Sequence, residues 1–107
     1  MTKPAFVAIL VTCPNRAVGE SIGRALVEER LAACANLVPG LTSIYRWQGR
    51  IHRDREVLLV IKARHRQFRR LAARVAILHP YDTPQIVALP IVAGAERYLA
   101  WLADSTA

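Results

Sequence analysis

The amino-acid sequence predicts an α+β fold, a ferredoxin-like βαββαβ sandwich with a long hairpin between its second and third strands and a helix at its C-terminal end. Two observations predict this fold. Apolar segments of strand length and amphipathic helical stripes follow one another in the order β, α, β, β, α, β, α. The chain of 107 residues is 53% hydrophobic, which suits one compact core rather than a disordered chain. We therefore expect residues 1–107 to form a single domain.

The first strand and the first helix are indicated by a change in hydrophobic pattern. Residues 5–11 (A-F-V-A-I-L-V) are apolar without alternation, which is typical of a strand covered on both faces. Residues 12–15 are expected to end the strand, and Asn15 is the best candidate for the N-cap of the helix. Apolar side chains then recur at helical spacing, so the helix is predicted from Arg16 to about Ala33.

The stretch from Cys34 to Lys62 predicts one long β-hairpin closed by Gln48-Gly49-Arg50. Its first arm, residues 35–47, would reach about 43 Å at roughly 3.3 Å per residue. A compact domain of this length has a radius of gyration of roughly 13 Å, which for a sphere corresponds to a diameter near 34 Å. The hairpin should therefore extend beyond its own domain. Pro39-Gly40 interrupts the arm and predicts a bulge there.

The remaining elements are predicted from the same two patterns, apolar runs of strand length and apolar stripes at helical spacing. Residues 57–61 form an apolar strand, and a second helix is expected from about Arg66 to Leu78, followed by a loop with two prolines at residues 79–84. A fourth strand is predicted at residues 86–91. Gly94 precedes a last helix, whose apolar and aromatic members are Tyr98, Leu99, Trp101 and Leu102.

An oligomer is expected from the strands that are apolar on both faces. Two helices cover only one face of the sheet in this fold, so another copy of the chain should cover the second face. The apolar residues near the hairpin tip, Tyr45, Trp47 and Ile51, are the predicted subunit interface, although the two aromatic side chains could instead line a ligand pocket. The pattern leaves the number of copies open.

The net charge of +7 raises the alternative of a nucleic-acid binder. An RRM-like RNA-binding module shares the βαββαβ order, and the basic residues are concentrated between Arg46 and Arg74. However, the strand at residues 57–61 lacks the aromatic residues that stack on bases in that module, and Phe6 is alone on the first strand. We therefore interpret the basic residues as a solvated surface and do not expect a nucleic-acid partner.

Composition also bears on compartment and catalysis. No apolar run approaches the roughly 20 residues of a membrane span, so no membrane partner is expected. Cys13 and Cys34 do not form a C-x-x-C pair, and reduced thiols in the cytoplasm are expected. No nucleophile and base pair or Gly-rich phosphate loop is recognisable, so an enzyme is not expected.

Seven stretches of the sequence together resemble the CutA family of divalent-cation tolerance proteins. They cover nearly the whole chain: V-T-C-P-N (11–15), E-E-R-L-A-A-C-A-N (28–36), P-G-L-T-S-I-Y-R-W-Q-G (39–49), E-V-L-L-V-I-K (56–62), H-P-Y-D-T-P-Q-I (79–86), A-L-P-I (88–91) and Y-L-A-W-L (98–102). The resemblance implies a PII-like homotrimer in which the long hairpins pair with neighbouring subunits. It also implies binding of copper and other divalent cations and a role in the response to metal ions.

The resemblance also points to metal ligands. The family's copper site is associated with a cysteine on the first strand and with the histidine of the His-Pro-Tyr motif. Val11 stands at the strand position here, so the candidate ligands are His79, Cys13 and Cys34. One imidazole and one thiolate are fewer than the roughly four ligands that structural transition-metal sites use, so symmetry or a second loop would have to supply the others.

A ligand pocket is a second possibility for the same loop. Lys62 ends an apolar strand, and together with Tyr81 and Asp82 it could recognise an anion. This interpretation corresponds to the alternative function, a PII-like trimer that senses a small ligand or takes part in signalling.

Overall fold

The computed structural model describes residues 3–107, and it confirms the predicted α+β fold. Four antiparallel strands form one sheet in the order β2-β3-β1-β4. The elements are β1 (Phe6–Cys13), α1 (Arg16–Glu28), β2 (Cys34–Trp47), β3 (Arg50–Arg64), a 3₁₀ turn (His65–Gln67), α2 (Phe68–Leu78), β4 (Val87–Pro90) and α3 (Glu96–Asp104). No helix among residues 3–107 is both long and apolar enough to cross a membrane.

The core lies between one face of the sheet and the helices α1 and α2. Alternate residues of β1 and β3 point into it, so Ile9 pairs with Ile61 and Val11 pairs with Leu59, all fully buried. Helix residues that include Leu26, Leu71 and Val75 complete this cluster. The alternate, inward-facing residues of the strands and the apolar stripes of α1 and α2 thus form one core.

The opposite face of the sheet is less covered. Leu10, Leu58 and Val60 are half-buried there, and the side chains of Val87 and Leu89 on β4 are 46% and 49% exposed. The register places these residues on one surface, because β4 pairs Val87 with Leu10 and β1 continues the sheet to β3. The predicted apolar second face therefore exists as a surface of the chain, which we call the open face.

Two predicted boundaries are wrong. The helix α1 ends at Glu28 rather than near Ala33, because Arg30 adopts a left-handed backbone with a φ of 59°. The N–H groups of Arg30 and Leu31 donate to carbonyls of the last turn, the arrangement that closes a helix at a left-handed residue. The strand β1 extends to Cys13 instead of ending at residue 11, since β3 supplies ladder partners for both extra residues.

Smaller shifts occur at α2 and β4. The segment at residues 65–67 is a 3₁₀ turn, so α2 begins at Phe68 rather than near Arg66. The last strand is shorter by one residue at each end than the predicted range of 86–91. The Asn15 cap is confirmed, because its side-chain oxygen accepts a hydrogen bond of 2.9 Å from the backbone N–H of Val18.

The hairpin is confirmed together with its bulge and its length. Gln48 and Gly49 close it with φ values of 50° and 76°, as in the two-residue type I′ turn that matches strand twist. The register shifts between Val38 and Leu41, where Gly40 has a φ of 77°. The principal extents of the molecule are 43 × 31 × 24 Å, so the chain is elongated as expected.

Candidate functional site

A groove lies between the distal half of the hairpin and the loop that follows α2. Its volume is about 620 Å³, and its walls include Tyr45, Trp47, Glu56, Tyr81 and Asp82. A volume of this size is within the range of small-molecule sites, roughly 300–1,000 Å³. The groove therefore combines two aromatic residues predicted for the interface with two residues predicted for a ligand pocket.

His79 fixes the loop side of the groove. The residue before a proline favours extended backbone, and His79 accordingly ends α2 with a φ of −82° and a ψ of 138°. The His79 side chain is only 6% exposed. Its Nδ1 accepts a hydrogen bond of 3.1 Å from the backbone N–H of Tyr81, and its Nε2 lies 2.9 Å from the carbonyl oxygen of Thr12.

These two contacts determine the tautomer of His79. Because the N–H of Tyr81 donates to Nδ1, the ring proton is on Nε2 and is donated to Thr12. The neutral ring thus connects the loop to the end of β1. Both ring nitrogens are occupied, so neither is free to coordinate a metal ion in this arrangement.

Glu56 is a residue of the groove that sequence reasoning did not identify. It follows an Arg-rich stretch and precedes the apolar run of β3, and its side chain is 7% exposed. The Tyr81 hydroxyl donates a 2.8 Å hydrogen bond to its Oε2. Burial and this hydrogen bond raise the pKa of Tyr81, so the hydroxyl keeps its proton and remains a donor.

The second oxygen of Glu56 differs from the first because it has no hydrogen-bond partner in the described part of the chain. Among residues 3–107 no hydrogen bond reaches Oε1, yet no buried side-chain oxygen in this part of the chain lacks a partner. Oε1 must therefore retain contact with solvent, and Glu56 lines the groove. Glu56 is a buried residue, but its carboxylate has one open oxygen that can accept a donor from a ligand.

The hairpin side of the groove carries Tyr45 and Trp47. The Tyr45 hydroxyl donates to Asp54, which raises the pKa of Tyr45, and its ring stacks on His52 with centroids 5.4 Å apart. Trp47 is 41% exposed. Ile51, the third residue of the predicted interface, pairs with Arg46 near the tip, is exposed and does not line the groove.

The two cysteines lie far apart and on opposite faces of the sheet. Cys13 is buried on the helix side, and burial, together with the charge of Glu56, raises the pKa of its thiol to about 11. Cys34 is half-buried on the open face, where its Sγ lies 3.6 Å from the Tyr98 hydroxyl. Their partners on β3, Val57 and Lys62, are separated by about 17 Å at 3.4 Å per residue.

The candidate metal ligands therefore do not form a site within one chain. No group of three or more His, Cys, Asp or Glu side chains in the described part of the sequence is arranged to hold a metal ion. Val11, which stands at the position of the family's strand cysteine, is fully buried in the core. A site that uses His79 would need its ring to leave Thr12 or Tyr81, and it would need ligands from elsewhere.

Lys62 is also separate from the groove. It donates a hydrogen bond to Asn36 on the open face, and six residues of β3, about 20 Å, separate it from Glu56. The structure thus brings Tyr81 and Asp82 together but places Lys62 elsewhere. Neither Lys nor Arg is among the residues that line the groove, although the chain as a whole has a net charge of +7.

Comparison with known proteins gives a consistent family. Residues 7–105 match the family described as CutA1 divalent ion tolerance protein. The divalent-cation tolerance protein CutA of Thermus thermophilus is 55% identical over 98 residues, which are 92% of this chain and 95% of that protein. The chloroplastic CutA protein of Arabidopsis thaliana is 45% identical over 98% of this chain, which spans 57% of that protein's length.

Solved structures agree with this match. The divalent cation tolerance protein (Cut A1) of Thermus thermophilus superposes with a TM-score of 0.93 at 53% identity, covering 95% of this chain and 99% of that chain. CutA1 of Oryza sativa superposes with a TM-score of 0.94 at 40% identity, covering 100% of this chain and 98% of that chain. Because the family match extends over nearly the whole domain, the chain belongs to the CutA1 divalent ion tolerance protein family.

Proposed function

We propose that this protein is a homotrimer that binds a divalent cation, with copper as the leading candidate, in the response to metal ions. The observation that carries the proposal is family membership over nearly the whole chain, since the relatives are named for divalent-cation tolerance. The role proposed is binding rather than catalysis. In support, the raised thiol pKa of Cys13 makes it a poor nucleophile.

The trimer is proposed because one chain leaves the open face partly uncovered. Val87 and Leu89 are about half exposed on β4, and Tyr45, Trp47 and Ile51 are exposed near the tip of the hairpin. Apolar surface of this kind is usually covered by another subunit. The copy number of three follows from the family resemblance.

For the metal we propose His79 as the imidazole ligand, with a thiolate from Cys13 or Cys34. Copper would have to displace the Nε2 proton that now goes to Thr12, and a neighbouring copy would have to contribute ligands. Cys13 is adjacent to Thr12 in sequence but must lose a proton that it holds firmly. Cys34 is more accessible but lies at the other end of the sheet.

Calorimetric titration with copper tests each ligand separately. We expect His79→Ala to abolish or strongly weaken copper binding, and Cys13→Ser or Cys34→Ser to weaken it when that thiol is a ligand. His52→Ala is the control and should bind as the unmodified protein does. If His79→Ala binds copper with unchanged affinity, the proposed site is wrong; if only the histidine variant loses affinity, the two cysteines serve packing alone.

We also place the protein in the cytoplasm, where both cysteines would remain reduced. Cys13 and Cys34 are free thiols in the structure, which suits a reducing compartment. Relatives carry different compartments in their names, for example chloroplastic in Arabidopsis thaliana and periplasmic in Archaeoglobus fulgidus.

A second candidate function is the sensing of a small ligand. The groove beside Tyr81 favours it, because a concave site with aromatic walls and one open carboxylate oxygen is typical of small-molecule sites. Tyr81 and Asp82 contribute to this groove as predicted for a pocket.

A further inference from the structure

The groove differs in charge from the rest of the molecule. Glu56 and Asp82 line it, no Lys or Arg does, and yet the chain carries a net charge of +7. Arg50 and Arg53 lie opposite Trp47 and Ile44 in the hairpin. Arg46 and Arg55 adjoin lining residues in the sequence, but none of these four arginines lines the groove. Fixed carboxylates attract cations and repel anions, and with no basic side chain in its walls the groove favours a positively charged ligand.

The walls of the groove indicate which kind of cation would fit. Tyr45, Trp47 and Tyr81 present three aromatic side chains, each partly exposed. Aromatic faces attract ammonium groups, and several rings around one cation form the cage that recognises quaternary ammonium compounds. Aromatic walls also cover the methyl or methylene groups of such a ligand, which a hydrated metal ion would not need.

A metal ion would be poorly served by the same groove. Small divalent cations such as magnesium and calcium prefer six or more oxygen ligands, but one oxygen of Glu56 is already bound by Tyr81 and no cluster of three acidic or metal-ligating side chains is present among residues 3–107. An organic ammonium group needs fewer direct partners, because one carboxylate oxygen and the aromatic faces suffice.

We propose that the groove between the hairpin and the His79–Gln85 loop binds a small organic ammonium compound, with the open oxygen of Glu56 facing its positive charge and Tyr45, Trp47 and Tyr81 enclosing its alkyl groups. His79 acts as a positioning residue, because its Nδ1 holds the backbone of Tyr81 and its ring packs 4.6 Å from the Tyr81 ring. The proposal names a ligand class for the second candidate function, in which Tyr45 and Trp47 line a pocket instead of a subunit contact. It does not depend on metal binding.

The test is a titration of the assembled protein with choline in the presence of EDTA, and binding is monitored by NMR. The chain has two tryptophans of similar exposure, Trp47 at the groove and Trp101 on α3, so Trp101 is an internal control. We expect choline to shift the indole signal of Trp47 in a saturable way and to leave that of Trp101 unchanged. The neutral isostere 3,3-dimethylbutan-1-ol should bind at least about tenfold more weakly, because it lacks the charge.

Two variants test the carboxylate. Glu56→Gln keeps an acceptor for Tyr81 but removes the charge, and it should weaken choline binding by about tenfold. Glu20→Gln removes an exposed carboxylate on α1 and should leave the affinity unchanged. If Glu56→Gln fails to fold, the comparison of choline with its neutral isostere on the unmodified protein still decides the question.

Several outcomes would overturn the proposal. Equal binding of choline and the neutral isostere would show an apolar groove without charge selection. Absence of any shift at Trp47 would exclude ammonium binding, and shifts that follow protein dilution instead of choline would assign the groove to contact between copies. Because EDTA removes metal ions, none of these results depends on the copper titration, so the two proposals fail independently.

Discussion

The ring of His79 already has a partner for each nitrogen, and this determines what a metal ion would have to displace. Coordination through Nε2 removes the hydrogen bond to Thr12, and coordination through Nδ1 removes the one from Tyr81. Each such bond contributes about 0.5–1.5 kcal/mol to stability. Metal binding at His79 would therefore require the loop to open, and the same loop forms a wall of the groove.

The two cysteine thiols should differ in reactivity towards a thiol reagent at pH 8. The pKa of Cys13 is raised to about 11 by burial, so its thiolate is scarce at this pH, whereas Cys34 is only half-buried. We expect one thiol to react in the folded protein and the second only after unfolding. Cys34→Ser should remove the fast reaction, and Cys13→Ser should preserve it.

The same pKa shift predicts how stability depends on pH. The folded state holds the Cys13 proton more tightly than the unfolded state, whose pKa is near 9.0. The resulting stability is fully present below about pH 9 and decreases as the pH rises towards 11. In the experiment with the thiol reagent, two fast-reacting thiols in the folded protein at pH 8 would show that Cys13 is not buried.

At the scale of elements, the turn of the hairpin offers a test without steric complications. Gly49 has a φ of 76°, and a Cβ there would meet no atom within 4 Å. Gly49→Ala should therefore destabilise the protein by about 1 kcal/mol through backbone conformation alone. Gln48→Asn should instead stabilise the protein, because Asn tolerates the left-handed φ of 50° better than Gln.

Denaturant unfolding at a fixed protein concentration measures both variants, since the stability of an oligomer depends on concentration. Equal stability of the Gly49→Ala variant and the unmodified protein would contradict the type I′ geometry of the turn.

The order of elements could be predicted because each has its own hydrophobic period, but the ends of two elements depend on other signals. The helix α1 stops because Arg30 is left-handed, and Arg carries no sequence signature of that conformation as Gly would. The strand β1 reaches Cys13 because β3 supplies partners, and pairing between distant segments is not visible in a local pattern.

The groove illustrates the same limit. Its two sides come from residues 43–56 and 80–85, which only the fold brings together, so the loop motif indicates Tyr81 and Asp82 but not Glu56. Residue type alone groups Lys62 with them, yet the register of β3 places it on the open face far from the groove.

At the scale of the whole molecule, the open face is the main feature that one chain leaves incomplete. Its half-exposed apolar residues on β4 lie in one sheet with the hairpin. Covering this face with further copies would bury the apolar side chains that lie on both sides of the strands. The proposed function depends on this assembly, because the metal ligands of one chain are insufficient.

The mass of the protein in dilute solution, measured by light scattering, tests this claim most directly. We expect about three times the 11.9 kDa of one chain. Leu89→Glu, which puts a charge on the open face, should reduce the mass or prevent folding, because an ion would lose its hydration at the interface. Ile77→Glu, at a 75% exposed apolar position on α2, is the matched control and should keep the mass unchanged. A stable, folded monomer of the unmodified protein would contradict the account.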